Sequence, residues 1–260
     1  MGTSSATDPV EEHRMPLMEH LRELRSRLIV CLWALLITVV GSFFFANDIF
    51  VILAAPMNDA LVVTGRGTMA ITQAMEGFMV QMKVAGLSGF FLASPVLFWQ
   101  AWRFVGPGLY DQEKKMVLPL VGASTFLFIS GAVFCYFALF QYGFPMFLEM
   151  NIEGVQAVLS IDAYLSMVTN LLLAFGISFQ LPIVVYFLAR LGLVDHIDMI
   201  KGFRYSVVGI FVVAGILTPT PDVMSQTIMA APLLLLYGVG IVVARVFSTK
   251  KREVVAAPAA

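Results

Sequence analysis

The sequence predicts an all-α, polytopic membrane protein with six membrane-crossing helices and both ends on the cytoplasmic side. Three observations lead there. Of 260 residues, 59% are hydrophobic and only 13% are charged, whereas a soluble domain carries about 25% charged residues. The mean hydropathy is +0.88. The apolar residues fall in runs of about the length that crosses a bilayer, and Lys and Arg gather in alternate connections between those runs.

The first run, residues 28–45, follows a polar and charged segment. That segment lacks the apolar core and small-residue cleavage site of a secretory signal, so the run reads as a retained span. The second covers about residues 84–102, and its helical pattern reaches back toward Glu76. The third is 116–140 and the fourth 165–189. Two shorter runs follow, 205–217 and about 228–244. The former is only about 20 Å long at 1.5 Å per residue, against a hydrocarbon layer about 30 Å thick. Short fifth and sixth helices suit a thinned bilayer or shielding by other helices. A re-entrant hairpin is the alternative, but the connection Thr218-Pro219-Thr220-Pro221-Asp222 is polar and suits a turn facing water. The outer connections, 46–75 and 141–164, are longer and partly apolar, and are expected to form short interfacial helices.

With the N-terminus inside, Arg14, Arg22, Arg25, Arg27, Arg103, Lys114, Lys115, Arg190, Lys201, Arg204, Arg245, Lys250, Lys251 and Arg252 are cytoplasmic. Of the 16 Lys and Arg, only Arg66 and Lys83 fall outside. This asymmetry orients the chain. Residues 1–16 and 248–260 read as flexible cytoplasmic tails around a membrane domain at 17–247.

The formal net charge of −1 offers no basic excess for nucleic acid. No G-x-x-x-x-G-K-[ST] loop is present. His13, His20 and His196 all fall in cytoplasmic segments, not among the spans where an intramembrane protease would want one. Cys31 and Cys135 lie in apolar runs with neither disulfide nor metal spacing. No cofactor, metal or catalytic residue is implied, and no enzyme.

Few polar residues lie deep in the spans. Gln180 lies about 15 Å below the cytoplasmic edge of the fourth; its amide either bonds a neighbouring helix of this chain or docks another protein's helix. Pro182 behind it would kink the helix. Leucines at 17, 21, 24 and 28 mark an amphipathic cytoplasmic helix, on which Glu23 can pair with Arg27 at i+4. Asp111 and Glu113 suit a helix N-terminus. Glu23 and Glu113 together could instead receive a basic peptide. Glu76 and Lys83, seven apart, share a helix face near the outer surface. Asp222 is placed to cap the last helix.

Four stretches resemble the TatC family, the multispanning receptor subunit of the twin-arginine protein translocase: HLRELRSRL (20–28), SPVLFWQAWRFVGPGLYDQEKK (94–115), AFGISFQLPIVV (174–185) and LTPTPDVMSQTIMAAP (217–232). Glu76, Phe78 and Lys83 also match. The resemblance implies a concave, glove-like bundle in the cytoplasmic membrane that binds the twin-arginine signal peptides of folded preproteins. By motif match Glu23 and Glu113 receive the arginines, with Arg25 and Phe104 in the same site. Gln180 falls where the family docks TatA- and TatB-type single-span partners; some members carry Glu there. Glu76, Lys83, Pro219, Pro221 and Asp222 fall at structural positions. Further copies of the chain are implied partners, and the proton-motive force drives transport. The competing classes are a small-solute secondary transporter, which would show broken or charged central helices and an inverted repeat, and a membrane scaffold without peptide recognition.

The charge asymmetry predicts that cysteines placed at Lys114, Lys201 and Lys251 are labelled from the cytoplasmic side, and those at Arg66 and Gly154 from outside. Labelling of position 201 from outside would refute the orientation.

Overall fold

The computed structural model describes residues 17–65, 67–105, 117–149, 158–217 and 223–248. Its long helices are α1 (Leu17–Phe43), α2 (Ala46–Thr64), α3 (Glu76–Val105), α4 (Val117–Phe134), α6 (Ile161–Ser178), α8 (His196–Leu217) and α9 (Val223–Phe247). A π turn at Cys135–Phe140 continues α4 into α5 (Gln141–Glu149). Phe179 and Gln180 interrupt the fourth span between α6 and α7 (Leu181–Arg190). Pro182, in the first turn of α7, has no amide hydrogen to continue the α6 ladder.

Side-chain contacts orient the helices. Along α1 and α3 the pairs His20–Phe104, Arg27–Gln100 and Val39–Gly89 run antiparallel. The pairs Gly131–Phe175 and Phe128–Gly176 do the same for α4 and α6. Tyr237–Met199 and Gln226–Phe211 set α9 antiparallel to α8. The N-terminus of α1, the C-termini of α3 and α7, and the C-terminus of α9 therefore share one end. Among the described residues that end holds every Lys and Arg except Lys83.

By length and composition alone, seven helices could cross a membrane, one more than the sequence reading allows. The addition is α2, whose 19 residues exceed the short interfacial helix expected there. It buries Leu53, Met57, Ala60 and Leu61. Pro56 lies within it and cannot donate to the Ile52 carbonyl four residues back. Tyr136 Oη donates to that carbonyl at 2.7 Å, and Tyr164 Oη donates to the next, Leu53 O, also at 2.7 Å. These bonds hold the middle of α2 at the end where α4 finishes and α6 begins.

Two further departures have physical causes. Helices α8 and α9 contain 22 and 25 residues, about 33 and 37 Å, so the short fifth and sixth helices expected from the apolar runs are not short as helices. α8 starts at His196 and passes through Lys201 and Arg204 before its apolar part, because the backbone ladder continues through charged residues whose long stems reach toward water. The chain is also not purely helical: Thr68–Ala70 and Val158–Ser160 pair as two short parallel strands. The turn at 218–222, with Pro219, Pro221 and Asp222, lies outside the described residues.

A shared core joins α2, α3, the π turn, α5 and α6 through Leu53, Val84, Phe140, Phe144, Leu165 and Phe175. The α4–α6 crossing is especially close. A β-carbon built on Gly131 would sit 2.7 Å from the Phe175 carbonyl oxygen, whereas one on Gly122 meets nothing within 4 Å. Gly131→Ala is therefore expected to lower stability by about 1–3 kcal/mol and Gly122→Ala to leave it nearly unchanged. Thermal unfolding of the detergent-solubilised protein measures both. Equal melting temperatures would show that the crossing relaxes freely.

Candidate functional site

At the basic end, α1 lies against the last turns of α3. Glu23 is half-buried and paired with Arg27. Arg27 Nε donates to Glu23 Oε1 at 3.0 Å, and Nη2 contacts the same oxygen. Arg27 Nη1 also reaches Gln100 Oε1 on α3 at 3.4 Å. One turn away the His20 imidazole stacks on Phe104, with ring centroids 4.4 Å apart. Gln100 and Phe104 are four residues apart and so share the α3 face toward α1. Arg25 is exposed. The expected i,i+4 pair thus exists, and Glu23 and Phe104 share one surface. Glu113 lies outside the described residues, in the connection from Val105 to Val117; both of those residues belong to this same end.

Trp102 points the other way. Its Nε1 donates to Ser124 Oγ on α4 at 2.8 Å, and its ring meets Phe187 of α7 edge-on at 5.2 Å. Gln180 Nε2 donates to the backbone carbonyl of that same Ser124 at 3.0 Å. Ser124 is fully buried. One residue of α4 therefore receives α3 through its hydroxyl and the α6–α7 break through its carbonyl. Of the two readings of Gln180, this geometry supplies the bond within the chain. Neither Trp102 nor Ser124 stood out in the sequence. They are 22 residues apart, and no periodicity pairs them.

At the opposite end, Glu76 is 4% exposed and opens α3. Its Oε2 accepts from Thr72 N, from Thr72 Oγ1 at 3.0 Å and from Gln73 N at 3.0 Å. Its Oε1 accepts from Ser160 Oγ at 2.7 Å and Asp162 N at 2.8 Å. Donors converging on both oxygens are what an ionised carboxylate requires. Two turns on, Lys83 Nζ donates to Asp162 Oδ1 at 2.6 Å and Ser166 Oγ at 2.7 Å. The shared face expected for Glu76 and Lys83 exists, and both grip the start of α6. Phe78 lies close to them in sequence but is exposed.

This architecture is that of a multi-pass α-helical membrane protein with a basic, acid-bearing face at one end and a hydrogen-bonded clasp at the other. Residues 19–232 match the family model described as "Sec-independent protein translocase protein (TatC)", and the chain belongs to that family of protein-translocase components. Relatives bearing that name include one from Desulforapulum autotrophicum, 43% identical over 242 residues, covering 93% of this chain and 88% of the relative. Another, from Escherichia coli strain K12, is 37% identical and covers 93% of each. A solved structure described as "Crystal Structure of Twin Arginine Translocase Receptor- TatC" is 38% identical with a TM-score of 0.77, covering 87% of this chain and 98% of that one. A second, in DDM, gives a TM-score of 0.78 at 37% identity.

Gln180→Leu removes one intramembrane hydrogen bond, worth about 0.6–2 kcal/mol. The expected result is a lower melting temperature with normal insertion. If the melting temperature holds and crosslinking to a single-span partner falls instead, the bond to Ser124 is incidental and docking is the residue's role.

Proposed function

We propose that this protein is the receptor subunit of a twin-arginine translocase. Its cytoplasmic face binds the paired-arginine signal peptides of folded preproteins, and it acts with TatA- and TatB-type single-span partners, and with further copies of itself, in export across the inner membrane. The observation that carries this reading is the half-buried carboxylate of Glu23, one turn from the His20–Phe104 stack at the basic end of the helices, in a chain of this family.

The chemistry fits. A carboxylate and a guanidinium form charge-assisted bonds that can be bidentate, and two arginines call for two acids. Glu23 supplies one. Glu113 supplies the other from the connection between Val105 and Val117. Arg25 and Phe104 complete the face, the arginine as a rim charge and the ring as an apolar neighbour of the bound peptide. Glu76 and Lys83 have structural roles at the far end, and Pro219, Pro221 and Asp222 are assigned structural roles as well.

The reading places six crossings in the membrane, with both chain ends cytoplasmic and α2 lying across the outer side. Two arguments support this. The antiparallel run of α1 and α3 leaves no crossing between them. A crossing α2 would also put Arg103, Arg190, Lys201 and Arg204 outside, against the preference of basic residues for the cytoplasm. Energy comes from the proton-motive force, and the chain carries no catalytic role of its own. A partner helix docking beside Gln180 would meet its carbonyl oxygen, since one amide hydrogen is already directed at Ser124.

Charge reversal tests the site. Glu113→Lys is expected to abolish export of a twin-arginine reporter, and Glu23→Lys to reduce it, with both variants inserted at normal levels. Normal export by both variants would remove the two acids from the site.

A further inference from the structure

We infer that Arg27 acts as an internal stand-in for the signal peptide's guanidinium, holding the Glu23 carboxylate until a peptide arginine displaces it, and that this competition lowers the affinity for the peptide. The inference rests on Glu23 being a receiving acid. Its observation is that the acid is already occupied. Arg27 Nε and Nη2 both contact Oε1 of Glu23, Nε at 3.0 Å, and the Arg27 side chain is the less exposed of the two, 16% against 28%.

The geometry makes the occupant replaceable. Both contacts of Arg27 fall on a single carboxylate oxygen. A guanidinium arriving from a separate peptide is not tethered to the same helix, so it can lie in the carboxylate plane and engage both oxygens in a fork. The exchange replaces one guanidinium by another, so Glu23 is never left as an unpaired, part-buried charge, a state that costs much more than the pair contributes. The displaced Arg27 keeps an acceptor, because Nη1 already reaches Gln100 Oε1 at 3.4 Å. A lysine ammonium brings the same charge without the planar fork. It binds the carboxylate less well than a guanidinium does, with or without Arg27. Arg27 therefore lowers the affinity for both peptides by one factor, and selectivity for arginine stays with the acid.

Binding of fluorescent signal peptides to the full-length protein in detergent tests this, using one peptide with paired arginines and one with paired lysines. Arg27→Gln is expected to tighten the arginine peptide by about two- to fivefold, the scale of an exposed or i,i+4 ion pair. It should tighten the lysine peptide by the same factor, because the fraction of free Glu23 does not depend on which peptide arrives. Arg27→Lys, which keeps the charge and guards against a folding defect in the first variant, should fall between Arg27→Gln and wild type. Gln100→Leu removes the second acceptor and should weaken the arginine peptide. Unchanged or weaker arginine-peptide binding in Arg27→Gln, with Glu23→Gln still weakening it, overturns the competition and leaves Glu23 as receptor. Unchanged binding in Glu23→Gln overturns both.

Discussion

A backbone carbonyl that loses its amide partner inside an apolar phase has no water to turn to, so another donor must be built beside it. Much of the tertiary structure follows from that demand. Pro56 frees the Ile52 carbonyl, and Tyr136 supplies the missing hydrogen across a gap of 84 residues. Pro95 frees the carbonyl of Phe91, and Ser94 Oγ donates to it at 2.7 Å from within the same helix. The break before Pro182 leaves Gln180 where its amide can reach Ser124. The bonds from Tyr136 and Gln180 tie together elements that hydrophobic burial alone would let slide, because packing against lipid tails and against Leu side chains differ little in free energy.

The same demand explains why the two ends behave differently. At the end opposite the basic one, Glu76 and Lys83 converge on Ser160, Asp162 and Ser166, and the short strand pair lies beside them. These groups satisfy one another, which suits a fixed clasp. At the basic end, the Arg27–Gln100 bond and the His20–Phe104 stack join α1 to α3 among the described residues, and the Glu23–Arg27 pair beside them is partly exposed. A half-buried ion pair in contact with water can exchange partners at low cost, which suits the peptide-receiving role proposed for this face. α1 leans chiefly on α3, where Gly89 lets the backbones approach so closely that an added β-carbon would fall 2.6 Å from Val39 Cγ2. Its opposite face, with Leu32, Trp33 and Ile37 exposed, is left to lipid.

Much of this was legible beforehand. The helix starts near Glu76, the break at Gln180–Pro182, the i,i+4 pair on α1 and the shared face of Glu76 and Lys83 all follow from spacing along one helix, and one helix is a local object. α2 was harder. Its Asn47, Asp48, Asn58 and Asp59 read as a surface segment, while its buried stripe of Leu53, Met57, Ala60 and Leu61 has meaning only once α3 and α5 lie against it. The lengths of α8 and α9 were underestimated because apolar runs report the lipid-contacting part of a helix and not where its hydrogen-bond ladder ends.

Composition and run lengths determined that this is a multi-pass helical protein, because the bilayer imposes those patterns residue by residue, and four short stretches of sequence carried its family. Only the tertiary structure decided who satisfies whom. That Ser124 joins Trp102 to Gln180, that Asp162 answers both Glu76 and Lys83, that Tyr136 closes the gap left by Pro56, and that Glu23 and Phe104 share a surface all depend on contacts between segments tens of residues apart. Hydrogen bonds act over about 3 Å, and no pattern along the chain encodes which distant groups the packing of helices brings within that reach.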